Sequence, residues 1–326
     1  MSIKKIFKNI HQIGIVTKNV RQTVRKYINN YGIGPWNLWE FGPEIVEDMQ
    51  VHGRKIDYRM TVATCKKMNV DFEIIEPKDD LSIYYDFLHN RGEGIQHINY
   101  DVLDYNIALD FLKARDVKIS QFGNLLGKHR YIYFDTENDV EHIIETSGDL
   151  PGLKRKEPQE IFPVMKGANY FGFSKILQIG VLVSDITSVS QKLNDRYTIG
   201  PWKLYDLSFR GEKDKKSINK SSNVIKTAIY KLNDVELVLI EPESNDNILF
   251  KDLMKRGSGP YFITFQVDDY EKTLNIFMKK KGEIVLSGNW HGRRFSFLDT
   301  RKDLKFITCI IQDTSEFGKP DPYPQR

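Results

Sequence analysis

Two short runs place ionisable side chains at every second position. In Asp71-Phe72-Glu73-Ile74 the carboxylates of Asp71 and Glu73 share one face of an extended strand, and Phe72 and Ile74 share the other. In His97-Ile98-Asn99-Tyr100 the same alternation puts His97 and Asn99 opposite Ile98 and Tyr100. Strands with one polar and one apolar face describe a sheet that packs on one side and lines a wet cleft on the other. Carboxylates and an imidazole on a common face are donors that a divalent cation takes. A third run, Gly32-Ile33-Gly34-Pro35-Trp36, contains glycines but is not a phosphate loop. It lacks the Lys-Ser/Thr pair of one nucleotide motif and the strand-to-helix setting of the other.

Composition narrows the class of chain that carries these residues. The 326 residues are 40% hydrophobic, 28% charged and 12% aromatic, as in an ordinary globular protein and unlike a disordered one. The net charge of +4 is small and the lysines are dispersed, which argues against a nucleic-acid partner. Cys65 and Cys309 give no disulfide framework, and no apolar run is long enough to span a bilayer. The opening Met-Ser-Ile-Lys-Lys turns polar too soon for a signal peptide. The expectation is a cytoplasmic protein acting on a small molecule.

The sequence is also duplicated. His11-Gln12-Ile13-Gly14-Ile15-Val16 returns as Leu177-Gln178-Ile179-Gly180-Val181-Leu182, and Tyr31-Gly32-Ile33-Gly34-Pro35-Trp36 as Tyr197-Thr198-Ile199-Gly200-Pro201-Trp202. Ile74-Ile75-Glu76-Pro77 returns as Leu239-Ile240-Glu241-Pro242, Arg91-Gly92 as Arg256-Gly257, and Phe134-Asp135-Thr136 as Leu298-Asp299-Thr300. A period of about 165 residues is a whole domain, not a solenoid unit. Residues 1–148 form the first domain, the proline-containing stretch 149–172 a linker, and 173–326 the second domain. Each copy predicts strands at Ile10–Thr17 and Ile176–Val183, then helices at Val20–Asn30 and Ile186–Asp195. Three further strands end at Val70–Glu76 and Val235–Ile240. In the first copy Gly94–Val102 is a strand, Tyr105–Ala114 a helix, and Val117–Phe122, His129–Phe134 and Val140–Glu145 are strands. The order is β-α-β-β-β, twice per copy, an α+β fold. The charged insertion Lys213 to Lys220 reads as a loop.

This order resembles the vicinal oxygen chelate superfamily, in company with Gln-x-Gly-Ile at the start, Glu-Ile-Ile-Glu-Pro midway, Gly-Ile-Gln-His-Ile-Asn-Tyr-Asp-Val after it and Ile-Ile-Glu at the end. That superfamily includes glyoxalase I, methylmalonyl-CoA epimerase, extradiol dioxygenases, fosfomycin-resistance enzymes and bleomycin-binding proteins. The resemblance implies two tandem glyoxalase-type domains, each a pair of β-α-β-β-β modules curled around an open cleft. It implies metal ligands on the first, fourth, fifth and eighth strands, at Gln12, Glu73, His97 and Glu145. Methylmalonyl-CoA epimerases are similar to the first domain but use two His, one Gln and one Glu, and they carry a second Glu near the position of Arg59. A buried Glu pair beside His needs a counter-charge, which a divalent cation (Mn, Co, Ni, Mg, Zn or Fe) supplies. The implied activity is a metal-dependent lyase, isomerase or epimerase, with Glu145 or Glu73 as base for an enolate or enediolate reaction. The alternatives are a non-haem iron dioxygenase and a non-catalytic binding or resistance protein. Two-domain hydroxyphenylpyruvate dioxygenases share the plan but hold their metal in the second domain. Fused copies imitate the homodimer of single-domain members, so a monomer or a homodimer is expected.

The second copy serves as an internal control. Opposite Gln12, Glu73, His97 and Glu145 it has Gln178, Val238, Phe262 and Cys309. Three of the four donors are gone together, which predicts one metal site, in the first domain, and a small or apolar cleft in the second. His11 is an alternative first ligand that would complete a two-His, one-carboxylate iron set with His97 and Glu145. On a regular strand it faces away from Gln12, and its counterpart Leu177 suggests a core position. Candidates for substrate contact are Trp36, His52, Arg54, Tyr58, Arg59, Asn99, His129 and Arg130. The basic counterpart of Arg130, Arg294, gives that residue a structural share.

Overall fold

The computed structural model describes residues 5–152, 157–164, 171–209, 223–243, 248–290 and 293–312. The first domain runs β1 (Phe7–Val16), α1 (Val20–Tyr31), β2 (Trp36–Phe41), β3 (Val46–Val51), β4 (Arg54–Lys55), β5 (Met60–Cys65), β6 (Asp71–Pro77), α2 (Ile83–Arg91), β7 (Gly94–Val102), α3 (Tyr105–Lys113), β8 (Ile119–Leu125), β9 (His129–Phe134), α4 (Glu137–Val140) and β10 (Ile143–Asp149). A short β11 (Glu160–Phe162), within the stretch read as linker, pairs with β2. The second domain runs β12 (Phe173–Leu182), α5 (Ile186–Tyr197), β13 (Lys203–Phe209), β14 (Asn223–Leu232), β15 (Val235–Pro242), α6 (Ile248–Arg256), β16 (Gly259–Val267), α7 (Tyr270–Lys279), β17 (Ile284–Trp290), β18 (Arg293–Leu298), α8 (Arg301–Leu304) and β19 (Ile307–Ile311). The insertion at Lys213 to Lys220 lies outside the described residues.

Both copies build the same curled sheet. The order is β2-β5-β6-β1-β7-β10-β9-β8 in the first and β13-β14-β15-β12-β16-β19-β18-β17 in the second. The two tandem α+β domains expected from the repeat are therefore present. In each, the first strand is central, parallel to one neighbour and antiparallel to the other. Helices α1, α3, α5 and α7 cover the apolar outer faces. α1 starts where the Asn19 side chain accepts from the Gln22 N–H and stops at Gly32, whose φ of 68° suits glycine. Its buried positions, Val20, Thr23, Val24, Tyr27, Ile28 and Tyr31, recur at helical spacing.

Three features depart from the sequence expectation. Helices α2 and α6 follow the fourth strand of each copy, where none was read. In α2 only Ile83 and Tyr84 are buried, too few for a recognisable stripe. The β3–β4 hairpin is inserted between β2 and β5 and pairs across the cleft with β8, at Val46↔Leu125 and Val51↔Gln121. That hairpin extends the first sheet beyond β8. Finally, the strand expected at Val140–Glu145 begins later, because Glu137–Val140 forms α4.

The apolar backs of the two sheets share one core. Phe72 of β6 stacks on Phe306 at 6.4 Å and on Phe265 at 6.4 Å, and Phe173 stacks on Phe265 at 4.3 Å. α1 lies against α8, and α4 against α5, so the contact repeats with the pseudo-symmetry of the duplication. Asp139 accepts from Tyr197 and Arg196 across it, while its counterpart Asp303 accepts from Asn30 and Tyr31.

Candidate metal centre

Four adjacent strands bring the first domain's polar residues together. Gly14 of β1 stands in register with Glu73 of β6 on one side and His97 of β7 on the other. Because Gly14 has no side chain, the His97 ring lies over it; a Cβ there would fall 1.8 Å from the ring. Glu145 comes from β10, in register with Asn99 and with Tyr133 of β9. His97 Nε2 lies 3.1 Å from a Glu145 oxygen and 3.5 Å from a Glu73 oxygen. One ligand atom from each of Glu73, His97 and Glu145 falls within 4.8 Å of the others.

The proton inventory shows what this cluster lacks. A bulge in β7 makes Gln96 an extra residue between the pairs Gly14↔His97 and Ile15↔Ile95, which lets its side chain lie beside His97. Gln96 Nε2 donates to the Ile83 carbonyl, so its Oε1 is left to accept from His97 Nδ1, at 2.6 Å. Nδ1 therefore carries a proton, and Nε2 is the nitrogen that faces the two carboxylates. Although Nε2 and Glu145 approach to 3.1 Å, their angles do not make a hydrogen bond, and both atoms are buried without a partner. Burial pulls the His97 pKa down, but the Glu145 and Glu73 carboxylates outweigh it and push it up to about 9. Burial raises the Glu73 carboxyl, against the nearby His97 ring and with the charge of Glu145. A buried cluster that draws a proton toward itself is short of positive charge. Two carboxylates and an imidazole whose outer nitrogen is already tied down fit a divalent cation in donor type and in tautomer.

The cluster forms the floor of a cavity of about 190 Å³. Trp39, Phe41, Met60, Val62 and Ile75 wall one side, and Leu125 with Ile45 and Val46 of the hairpin segment close the other. Polar groups gather at one end: Gln12, Thr64, Lys66, Asn99, His129 and Ser147.

Gln12, Asn99 and His129 thus join Glu73 and Glu145 in this cavity, with His97 beneath it. The other expected contacts lie elsewhere. Trp36 is in the core, its indole N–H donating to the Ile33 carbonyl, and Trp202 repeats that bond to Ile199. His52 and Arg54 are exposed on the hairpin. Tyr58 is buried behind the wall, its hydroxyl 2.8 Å from that of Tyr131. Arg59 is exposed and paired with Glu44. Arg130 lies over the Tyr105 ring at 4.2 Å, as Arg294 lies over Tyr270 at 4.8 Å.

His11 is not the core residue that a regular strand implies. A bulge between Ile10 and Gln12 puts both His11 and Gln12 on the cavity side. There His11 is 41% exposed and faces Asp101 at 3.4 Å and Asp71 at 4.0 Å, not the His97 cluster. The second domain has the same bulge, and Leu177 packs on its cleft cluster. Sequence reading also missed Gln96, Tyr84 and Tyr133. The signal was available: their counterparts Tyr261, Leu249 and Phe297 change together with those of Glu73, His97 and Glu145.

The second cleft is apolar. Its cavity of about 60 Å³ is lined by Val238, Phe262 and Cys309 among Ile, Leu and Phe side chains. Gln178 donates there to Glu236 and accepts from Thr264.

The sequence pattern of the Glyoxalase/Bleomycin resistance protein/Dioxygenase superfamily matches residues 11–134 and again residues 177–297. The chain belongs to this superfamily. No curated protein matches it in sequence. Among solved structures, a variant 4-hydroxymandelate synthase from Streptomyces coelicolor is similar, with a TM-score of 0.60, 11% identity, and 94% of this chain and 93% of that one covered. A xylose isomerase-like TIM barrel/4-hydroxyphenylpyruvate dioxygenase fusion protein gives a TM-score of 0.54 at 9% identity, over 97% of this chain and 50% of that one. Methylmalonyl-CoA epimerase from Mycobacterium tuberculosis gives 0.33 at 14% identity, over 44% of this chain and 91% of that one. At these identities the likeness to the first two is one of fold. Among the described residues of this superfamily member, the Glu-His-Glu cluster in the first domain is the group that could hold a metal, and no helix is long and apolar enough to cross a membrane.

Proposed function

We propose that this protein is a divalent-metal-dependent lyase, isomerase or epimerase acting on a small oxygenated molecule in the first cleft. The observation that carries the reading is the unpartnered His97 Nε2 facing Glu73 and Glu145 at the floor of a largely apolar cavity. Glu73, His97 and Glu145 would hold the cation, and Gln12, which lines the same cavity, would add a fourth donor from β1. The cation, when bound, supplies Lewis-acid stabilisation of negative charge on the substrate. Glu145 or Glu73 takes a proton from the carbon beside a substrate carbonyl, and the electron pair left behind moves onto the carbonyl oxygen. Return of the proton to the opposite face gives an epimer, return to a neighbouring position an isomer, and loss of a leaving group a lyase product. The hairpin and the aromatic wall exclude water from that intermediate. Asn99 and His129 contact the substrate's polar end.

Metal analysis tests the reading. Protein purified without chelator and loaded in turn with Mn, Co, Ni, Mg, Zn and Fe should bind one ion per chain. Two ions per chain, or none with any metal, refutes it. A ferrous dioxygenase is the second reading, supported by the fold likeness to a 4-hydroxymandelate synthase and a dioxygenase fusion. Oxygen uptake by the iron-loaded protein on turnover separates the two. A non-catalytic binding protein would hold ligands without turnover.

A further inference from the structure

The aromatic rings beside the cluster recur in the second domain, but their hydroxyls do not. Tyr133 meets the His97 ring edge-on at 4.9 Å and 77°, and Phe297 meets Phe262 at 4.9 Å and 71°. Tyr131 and Tyr133 lie 6.0 Å apart, Phe295 and Phe297 5.9 Å apart. Tyr133 is in register with Glu145, as Phe297 is with Cys309. Tyr84, the second residue of α2, has Leu249 at the same place in α6. Packing therefore needs rings at 131 and 133, and phenylalanine supplies them. The hydroxyls are present only in the copy that keeps Glu73, His97 and Glu145.

A buried hydroxyl without a bond costs free energy, so these need an occupation. Tyr84 donates its proton to the Tyr133 oxygen, at 3.0 Å. That bond fixes the Tyr133 hydroxyl and uses one of its lone pairs, while its own proton goes to no protein group among the described residues. Tyr133 lines the cavity, next to the cluster.

We propose that Tyr133 is a catalytic hydrogen-bond donor to the substrate oxygen that gains negative charge, and that Tyr84 is its positioning residue. This rests on the metal-dependent reading above. A donor aimed beforehand at a developing oxyanion lowers the barrier because nothing has to reorganise when charge appears. The hydroxyl of Tyr84 polarises that of Tyr133 and makes it the better donor. No bond to the protein is formed or broken; the phenol keeps its proton throughout.

Benzohydroxamate, an anion that chelates through two oxygens, serves as the probe on cobalt-loaded protein, read from the visible cobalt spectrum. Tyr133→Phe should melt as wild type does, bind cobalt within about twofold, and bind benzohydroxamate roughly ten- to a hundredfold more weakly, the range for a hydrogen bond to a charged group. Tyr84→Phe should shift the probe affinity in the same direction by less. Unchanged benzohydroxamate affinity in Tyr133→Phe overturns the proposal, and so does a parallel fall in cobalt affinity, which would mean that the hydroxyl supports the ligands. Failure of Tyr133→Phe to fold overturns the packing argument and the proposal with it. Wild-type protein that binds no cobalt refutes the metal reading itself, a different outcome from a cobalt site indifferent to Tyr133.

Discussion

Replacing Gly14 by alanine adds one methyl group and changes no proposed ligand residue, yet it should cripple the metal site. A Cβ at Gly14 falls 1.8 Å from His97 Cε1, 1.9 Å from Nε2 and 2.4 Å from Nδ1. Carbon atoms in contact sit about 3.5–4.0 Å apart, so the imidazole must withdraw by roughly 1.5–2 Å. It has nowhere to go without loss: Tyr133 packs on it at 4.9 Å and Gln96 holds Nδ1 at 2.6 Å. Metal ligation tolerates displacements of about 0.2 Å. Overpacking of this size costs about 1–3 kcal/mol, which a domain of ordinary stability survives. Loss of a supporting outer-shell group alone weakens metal binding about 10–100-fold, so loss of the imidazole should exceed a hundredfold. The assay is calorimetric titration with manganese and cobalt, beside a thermal melt. Gly180→Ala is the matched control, since a Cβ there falls 1.8 Å from the Phe262 ring. It should lower stability by a similar amount and leave metal affinity unchanged. A Gly14→Ala protein that binds either metal within about threefold of wild type refutes the geometry, since it would mean His97 is not a ligand.

Two further outcomes follow from the same geometry. Glu145→Gln keeps the shape and one oxygen but removes a charge and the accepting strength. Metal affinity should fall, and turnover on any substrate found should drop by roughly 10²–10⁴-fold if Glu145 is the base. Cys309→Ala, in the second cleft, should change neither, and equal behaviour of the two variants would misplace the site. His142 should make the fold acid-sensitive. It is buried, donates from Nδ1 to the Val140 carbonyl and accepts from the Tyr100 hydroxyl, and burial lowers its pKa to about 4. Above pH 6.5 it is neutral folded or unfolded. Between 6.5 and about 4 the unfolded chain takes up a proton that the folded chain refuses, so stability falls as pH drops, by about 3 kcal/mol in full. Urea unfolding of wild type and His142→Asn across this range should show a shallower decline in the variant; identical slopes would contradict the assignment.

The sequence made the duplication and the strands that bring Glu73, His97 and Glu145 together legible for a physical reason. Alternation in Asp71–Ile74 and His97–Tyr100 is a local signal, and two copies compared position by position separate what packing demands from what it does not. What escaped was non-local. The bulges at His11 and Gln96 change which face a residue occupies, and strand period alone assumes there are none. The β3–β4 hairpin closes the cleft through pairing with β8, a partner about 75 residues away that no local pattern announces. Trp36, Tyr58 and Arg130 carry types that often touch substrates, but Trp36 and Arg130 have a bond or a ring contact outside the cavity, and Tyr58 is buried behind the lining residue Tyr131, to whose hydroxyl it is bonded.

The same comparison explains why one cleft could lose its donors while the domains kept one fold. The back of the sheet that carries Glu73 and His97 is not private to the first domain. Phe72, which precedes Glu73 on β6, is stacked on Phe265 and Phe306 of the second domain. Asn69, just before β6, exchanges two bonds of 2.9 Å with the Ile176 backbone of β12. Glu93, just before β7, accepts from Lys305 at 2.8 Å. The strands that present Glu73 and His97 are thus seated on the second domain. A change on that shared face is felt by both copies at once, as Asp139 and Asp303 show by keeping equivalent partners. A change inside a cleft is felt by one copy alone. Val238, Phe262 and Cys309 could therefore replace three donors without disturbing the seat on which the remaining site rests.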